Sequence, residues 1–200
     1  MAVAFVLGNG RSRLQVDPAK IKSLGTLYGC NAIYRDLIPD YLIAVDSKMI
    51  VELVEEGVQK KTQVWTNPNR RYQDFQGLHY FNPSKGWSSG PTALWLASVN
   101  IMNTFEAVKE IYILGFDYTG IDQKFNNVYA DTKNYKRSAE AATFFGNWMS
   151  QTETVIKEFK EVKYFRVIEQ GQFIPPWEHL ENLQHISFEQ FKTNVGYQNS

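Results

Sequence analysis

A short apolar run, Val3-Ala4-Phe5-Val6-Leu7, ends abruptly in Gly8-Asn9-Gly10-Arg11-Ser12. A run without polar alternation has to be buried on both faces, as the central strand of a parallel sheet is. Two glycines directly after it let the backbone come close to a ligand, and amides exposed beyond a strand end can face a phosphate. The third glycine of the dinucleotide fingerprint is missing, as is the Gly-Lys-Ser/Thr of the phosphate-binding loop. Neither motif applies, and a plain tight turn is the competing reading.

The rest of the chain repeats the strand-then-helix alternation that a parallel sheet requires. Asp17-Pro18 opens a short helix, with Asp17 as its cap. Thr26 to Tyr34 reads as a strand ending near Asn31, and Tyr41 to Val45 as a strand ending at Asp46. Ser47 is placed to cap a helix over 48–56, where Met49, Ile50, Leu53 and Val54 recur at helical spacing before Gly57. Two shorter strand candidates follow, Gln63 to Asn67 and Leu78 to Asn82. Ser88-Ser89-Gly90-Pro91 begins a helix to about Phe105 that is apolar around much of its circumference and so has to be largely buried. Glu110 to Leu114 is a strand breaking at Gly115-Phe116-Asp117. A polar stretch, 118–137, reads as a lid, followed by an amphipathic helix from Ser138 to about Lys160 and a strand from Val162 to Ile168. Beyond Gly171 a tail ends in a short helix with Ser187 and Gln190 at capping-box spacing; it is a candidate cover for the sheet edge or contact with a second copy. The expectation is a three-layer α/β, Rossmann-like domain over 1–170, its mainly parallel sheet flanked by helices, plus the tail 171–200.

Two hundred residues supply one sizeable core. The 21 basic and 21 acidic residues cancel, so no global field draws the chain to a nucleic-acid backbone or an anionic membrane. No apolar stretch approaches the roughly 20 residues of a membrane helix. No basic segment precedes the first apolar run, and the one cysteine, Cys30, cannot form an internal disulfide; both fit a cytoplasmic protein. His79, His179 and His185 are not at metal-ligand spacing. No Gly-x-Ser-x-Gly elbow supports a hydrolase triad.

Ligands of open α/β sheets bind outside the carboxyl ends of the strands. Gly8, Asn9, Gly10, Arg11, Ser12, Asn31, Asp46, Ser88, Ser89, Gly90 and Asp117 all follow apolar runs or open a helix, which makes them candidates for one nucleotide-binding edge. Any one of them read alone is equally a loop residue or a helix cap. Tyr118, Tyr129 and Tyr135, with Lys133, Lys136 and Arg137, offer hydroxyl and cationic donors in the lid.

Gly8-Asn9-Gly10-x-Ser12, Cys30-Asn31-x-x-Tyr34, Ser88-Ser89-Gly90 and Glu110-Ile111-Tyr112-Ile113-Leu114-Gly115-Phe116-Asp117-Tyr118 together resemble the bacterial sialyltransferases of glycosyltransferase family forty-two. The resemblance spans about residues 3 to 168; a wider Gly-x-Gly-x-Ser group includes hydroxymethylpterin pyrophosphokinases. It implies a Rossmann-like fold that binds a cytidine monophosphate (CMP) sugar without a metal and transfers the sugar, with inversion, to an acceptor hydroxyl. On that resemblance Asn9 and Asn31 contact the nucleotide phosphate and ribose, and Asp46 replaces an asparagine used to the same end. Ser89-Gly90 bind near base and sugar, and Tyr129 and Tyr118 match catalytic tyrosines that stabilise the departing phosphate. Arg11 stands where the family commonly has proline. The lid histidine that serves as general base has no counterpart between Asn126 and Ser150, leaving Asp122, Asp131 or a group from outside the protein to take the acceptor's proton. A carboxylate at position 46 also suits a phosphate-bound magnesium ion. Magnesium-dependent pyrophosphoryl transfer, with Arg11 and lid cations neutralising charge, is therefore the alternative. A non-catalytic nucleotide-binding protein is the third reading.

Overall fold

The computed structural model describes residues 1–119, 124–141 and 146–198. Its strands are β1 (Ala2–Leu7), β2 (Thr26–Cys30), β3 (Tyr41–Ile43), β4 (Gln63–Thr66), β5 (Leu78–Tyr80), β6 (Lys109–Leu114), β7 (Lys163–Ile168) and β8 (Leu183–Ser187). They form one sheet in the order β5-β4-β3-β2-β1-β6-β7-β8, and every named pair is parallel. The order reverses between β1 and β6, so a crevice opens at their carboxyl ends. Residues beyond Gly171, expected as a tail ending in a short helix, carry that helix and also supply the eighth strand.

Alternation within the strands builds the two faces. Phe5 and Leu7 of β1, with Leu27, Leu42, Val64 and Tyr112, meet α1 (Pro18–Lys22), α2 (Ser47–Glu55) and α5 (Phe188–Val195). Ala4 and Val6 point the other way, with Tyr28, Ile43, Ile111 and Ile113, to α3 (Ser89–Met102) and α4 (Gly146–Glu158). α3 packs against both the sheet and α4, which is why its sequence carries apolar residues around much of its circumference. The result is the α/β, Rossmann-like three-layer arrangement. Among the described residues no helix is long and apolar enough to cross a membrane.

Three local expectations are corrected. Asp46, not Ser47, caps α2: its Oδ1 accepts from the amides of Lys48 at 2.8 Å and Met49 at 3.4 Å. The helix expected from Ser138 is described from Gly146. Residues 138–141 are turning or bridged instead, with the Phe125 amide donating to the Glu140 carbonyl and Lys124 bridging Ala141. β8 was not anticipated, because Leu183-Gln184-His185-Ile186-Ser187 is short and half polar, as an edge strand can be.

His185 on β8 stacks against Trp177. Burial, aided by the positive charge of Arg166, pushes its pKa down to about 4. The folded ring stays neutral while the unfolded one binds a proton below about 6.5, so stability falls as pH drops from 6.5 toward 4. Allowing for its partial exposure, we expect about 1–2 kcal/mol to be lost between pH 7 and pH 4.5. Urea denaturation at the two pH values should show that difference shrinking in His185→Gln; an unchanged difference would assign the pH dependence elsewhere.

Candidate functional site

The turns after β1 and β6 interlock. The Gly8 amide donates to the Leu114 carbonyl at 2.8 Å and the Gly10 amide to the Gly115 carbonyl at 2.9 Å. A Cβ on Gly8 would lie 2.6 Å from the Gly115 carbonyl oxygen, and one on Gly10 2.4 Å from the Asp117 carboxyl carbon. Close approach between two backbones is thus what these glycines provide. Asp117 closes the junction: its buried carboxylate accepts from the Ser12 amide at 3.1 Å, the Ser12 hydroxyl at 2.5 Å, Asn126 Nδ2 at 2.9 Å and Gln172 Nε2 at 3.1 Å. From the next strand, buried Arg166 holds the Phe116 carbonyl through Nε and Nη2 and stacks over Tyr118, fixing the turn. Nothing in the sequence around Arg166 distinguishes it from a strand-surface cation.

This changes where an anion can bind. The amides of Gly8, Gly10, Arg11 and Ser12 are all committed within the protein, that of Arg11 to Asn126 Oδ1. Asp46 occupies the amino end of α2. The amino end of α3 is different: its cap, Ser88, makes no side-chain cap bond. Its first turn sits beside Asn31, whose Oδ1 accepts from the Ser89 hydroxyl at 2.9 Å, while that hydroxyl accepts from the Val45 amide at 3.1 Å. Asn31 holds a left-handed backbone, φ 54°, a conformation asparagine tolerates better than most residues.

Residues 124–141 lie across the crevice. The Val128 amide donates to the Asn9 carbonyl at 2.8 Å. Arg13 Nη2 donates to the Tyr129 hydroxyl at 2.7 Å, and that hydroxyl donates to Asp36 at 2.7 Å. Arg35 reaches Thr132 Oγ1 and the Lys133 carbonyl, and Glu52 of α2 accepts from Arg35, Tyr34 and Asn134. Tyr135 is thereby carried inward, its hydroxyl accepting from Asn9 Nδ2 and the Ala32 amide, both at 3.3 Å.

Under this cover is a cavity of about 460 Å³, within the range of small-molecule sites. Of the residues singled out in the sequence, Gly8, Asn9, Gly10, Asn31, Asp46, Ser88, Ser89, Gly90, Asp117 and Tyr118 line it. Arg11, Ser12 and Tyr129 do not. Arg11 points to solvent and Ser12 is buried beneath the turn. Tyr129 is buried and spent between Arg13 and Asp36, and burial pushes its pKa above the ordinary phenol range. Tyr118 reaches the wall, but its hydroxyl donates to Thr152 at 2.8 Å, and burial raises its pKa as well. Among the lid residues at the cavity are Tyr135 and Lys136, with Asn126, Asn127 and Asn134, and α4 adds Trp148.

Asp131 is exposed and turned into the lid, accepting from the Ser138 amide at 3.0 Å. Its pKa is lowered by those bonds, and it does not line the cavity. Asp122 lies outside the described residues. Among the described residues no group of three His, Cys, Asp or Glu side chains could hold a metal ion. Asp46 reaches the cavity with Oδ1 committed to the helix cap.

No protein-family profile matches the chain, and no curated protein matches it. Among solved structures, MAf glycosyltransferase from Magnetospirillum magneticum AMB-1 shares the fold at a TM-score of 0.57 and 15% sequence identity, over 99% of this chain. The chain spans about a third of that protein, 34% of its length. The α/β, Rossmann-like sheet is thus one that a glycosyltransferase also uses.

Proposed function

We propose that the protein binds a CMP-activated sugar in this cavity and transfers the sugar to an acceptor hydroxyl. The observation that carries the reading is a cavity at the β1/β6 switch point whose largely apolar wall is set with Asn9, Asn31, Asp46 and Ser89, with the uncapped amino end of α3 beside them. The positive end of a 14-residue helix suits a phosphate. In this reading the Ser89 and Gly90 amides receive the phosphate, and Lys136 on the lid adds charge as the phosphate departs. Asn9 and Asn31 hold the nucleoside. The Asn9 Oδ1 is buried and has no partner among the described residues, so a ligand hydroxyl or amino group would satisfy it at a gain. Tyr135 takes the lid role that the family resemblance gave to Tyr129. The similarity of fold to a glycosyltransferase supports the class of reaction; the resemblance to the family forty-two enzymes supports the cytidine donor.

Calorimetric titration with CMP, without magnesium, should show binding below millimolar. Asn31→Ala should weaken it about tenfold, the loss of a hydrogen bond of about 1.4 kcal/mol. Absence of CMP binding at millimolar concentration, or binding only of magnesium triphosphates, would defeat the reading.

A further inference from the structure

We infer that Asp46 is the general base of the transfer, receiving the acceptor's proton on Oδ2. This rests on the proposed transferase reading and supplies a base in place of the histidine that the lid sequence lacks. The described wall of the cavity carries two carboxylates, Asp46 and Asp117, and no histidine. Asp117 cannot serve, since both its oxygens already accept bonds from Ser12, Asn126 and Gln172. The Cys30 thiol is also at the wall, but burial pushes its pKa up to about 12. Burial likewise keeps the Tyr118 and Tyr135 phenols protonated.

Asp46 differs in its exposure and in having an oxygen to spare. It is solvent-exposed at the cavity wall, and only Oδ1 is engaged among the described residues, by the first amides of α2. Those bonds hold the carboxylate in one orientation with Oδ2 uncommitted. The strand end that carries it is stitched to α3, because the Val45 amide donates to the Ser89 hydroxyl at 3.1 Å. The proton acceptor and the helix end assigned to the phosphate therefore stand on adjoining walls, held in fixed relation.

The acceptor oxygen forms a bond to the anomeric carbon as the bond from that carbon to the phosphate oxygen breaks. The electron pair leaves with the phosphate, giving CMP, and the acceptor's proton passes to Asp46 Oδ2 and later to water.

Asp46→Asn tests this, because asparagine caps a helix as well as aspartate does and the fold is retained. With CMP-N-acetylneuraminate as donor and water or lactose as acceptor, the full chain carrying Asp46→Asn should transfer about 10²–10⁴-fold more slowly than wild type. CMP affinity should stay within threefold. Azide, an anionic nucleophile with no proton to lose, should restore turnover in Asp46→Asn and add little to wild type. Wild-type turnover that Asp46→Asn leaves within threefold, or a slowed variant that azide does not rescue although CMP binds, would overturn Asp46 as the base while leaving the transferase reading intact. A wild-type protein that neither binds CMP nor consumes the donor would overturn both.

Discussion

Asp117→Ala should lower the free energy of unfolding by about 3–5 kcal/mol, and with it the melting temperature by about 10 °C. The carboxylate is 7% exposed and accepts four hydrogen bonds. Removing it leaves the buried Ser12 amide and hydroxyl without acceptors, each at about 1–3 kcal/mol. It also frees Asn126, which holds the Arg11 amide, and Gln172. The turns after β1 and β6, the lid and the segment at Gln172 would loosen together, so CMP binding should be lost in parallel. Asp117→Asn, which turns one acceptor into a donor facing other donors, should fall between wild type and Asp117→Ala. Urea denaturation checks the order. A loss below 1 kcal/mol for Asp117→Ala would mean that the glycine packing alone holds the junction.

Glu52→Ala should produce the second large effect, concentrated in the lid. Glu52 is 2% exposed and joins α2 to the Tyr34 hydroxyl, the Arg35 guanidinium and Asn134. Its loss leaves Arg35, three-quarters buried, without its counter-charge, a change of about 3–5 kcal/mol where such a pair is broken. Hydrogen exchange over 124–141 should speed by two or more orders of magnitude, while the β1 and β6 amides change less. Burial by itself would raise the Glu52 pKa, but the bonds from Tyr34, Arg35 and Asn134 and the Arg35 charge outweigh it and the pKa is lowered. The clamp is therefore at full strength above the unfolded value of about 4.5 and weakens as pH falls through the lower folded value. Lid protection that is flat from pH 7 to 5 and drops only in more acid solution would agree. A steady decline from pH 7 would place the controlling group elsewhere.

How far the sequence reaches can be judged from single residues. Periodicity and boundary chemistry marked β1, β6 and α3 because burial on both faces leaves an unbroken apolar run, and the Gly-Asn-Gly turn stood where a strand had to end. The gathering of Asn31, Ser89 and Asp117 at one edge followed from parallel pairing alone. What could not be read was which polar groups are already satisfied. Asp46 and Ser47 are both good caps, and only backbone direction selects between them. Asp117 looked like a ligand contact, yet its carboxylate is consumed by Ser12 105 residues away. In the lid, with no period to impose a facing, Tyr129 and Tyr135 were indistinguishable until Arg13 and Asp36 claimed one of them.

The pairing of β1 with β6 also governs the order in which the molecule can be made. The first strand leaves the ribosome with its β2 neighbour soon behind it, but the partner on its other side is separated from it by four strands and three α-helices. Until β6 emerges, the nascent chain exposes an open flank of Val and Phe, and the last helix, whose Phe191 packs on Phe5 and Tyr112, arrives later still. Such long-range closure makes for slow maturation, so the half-synthesised protein is the species most in need of a chaperone's protection.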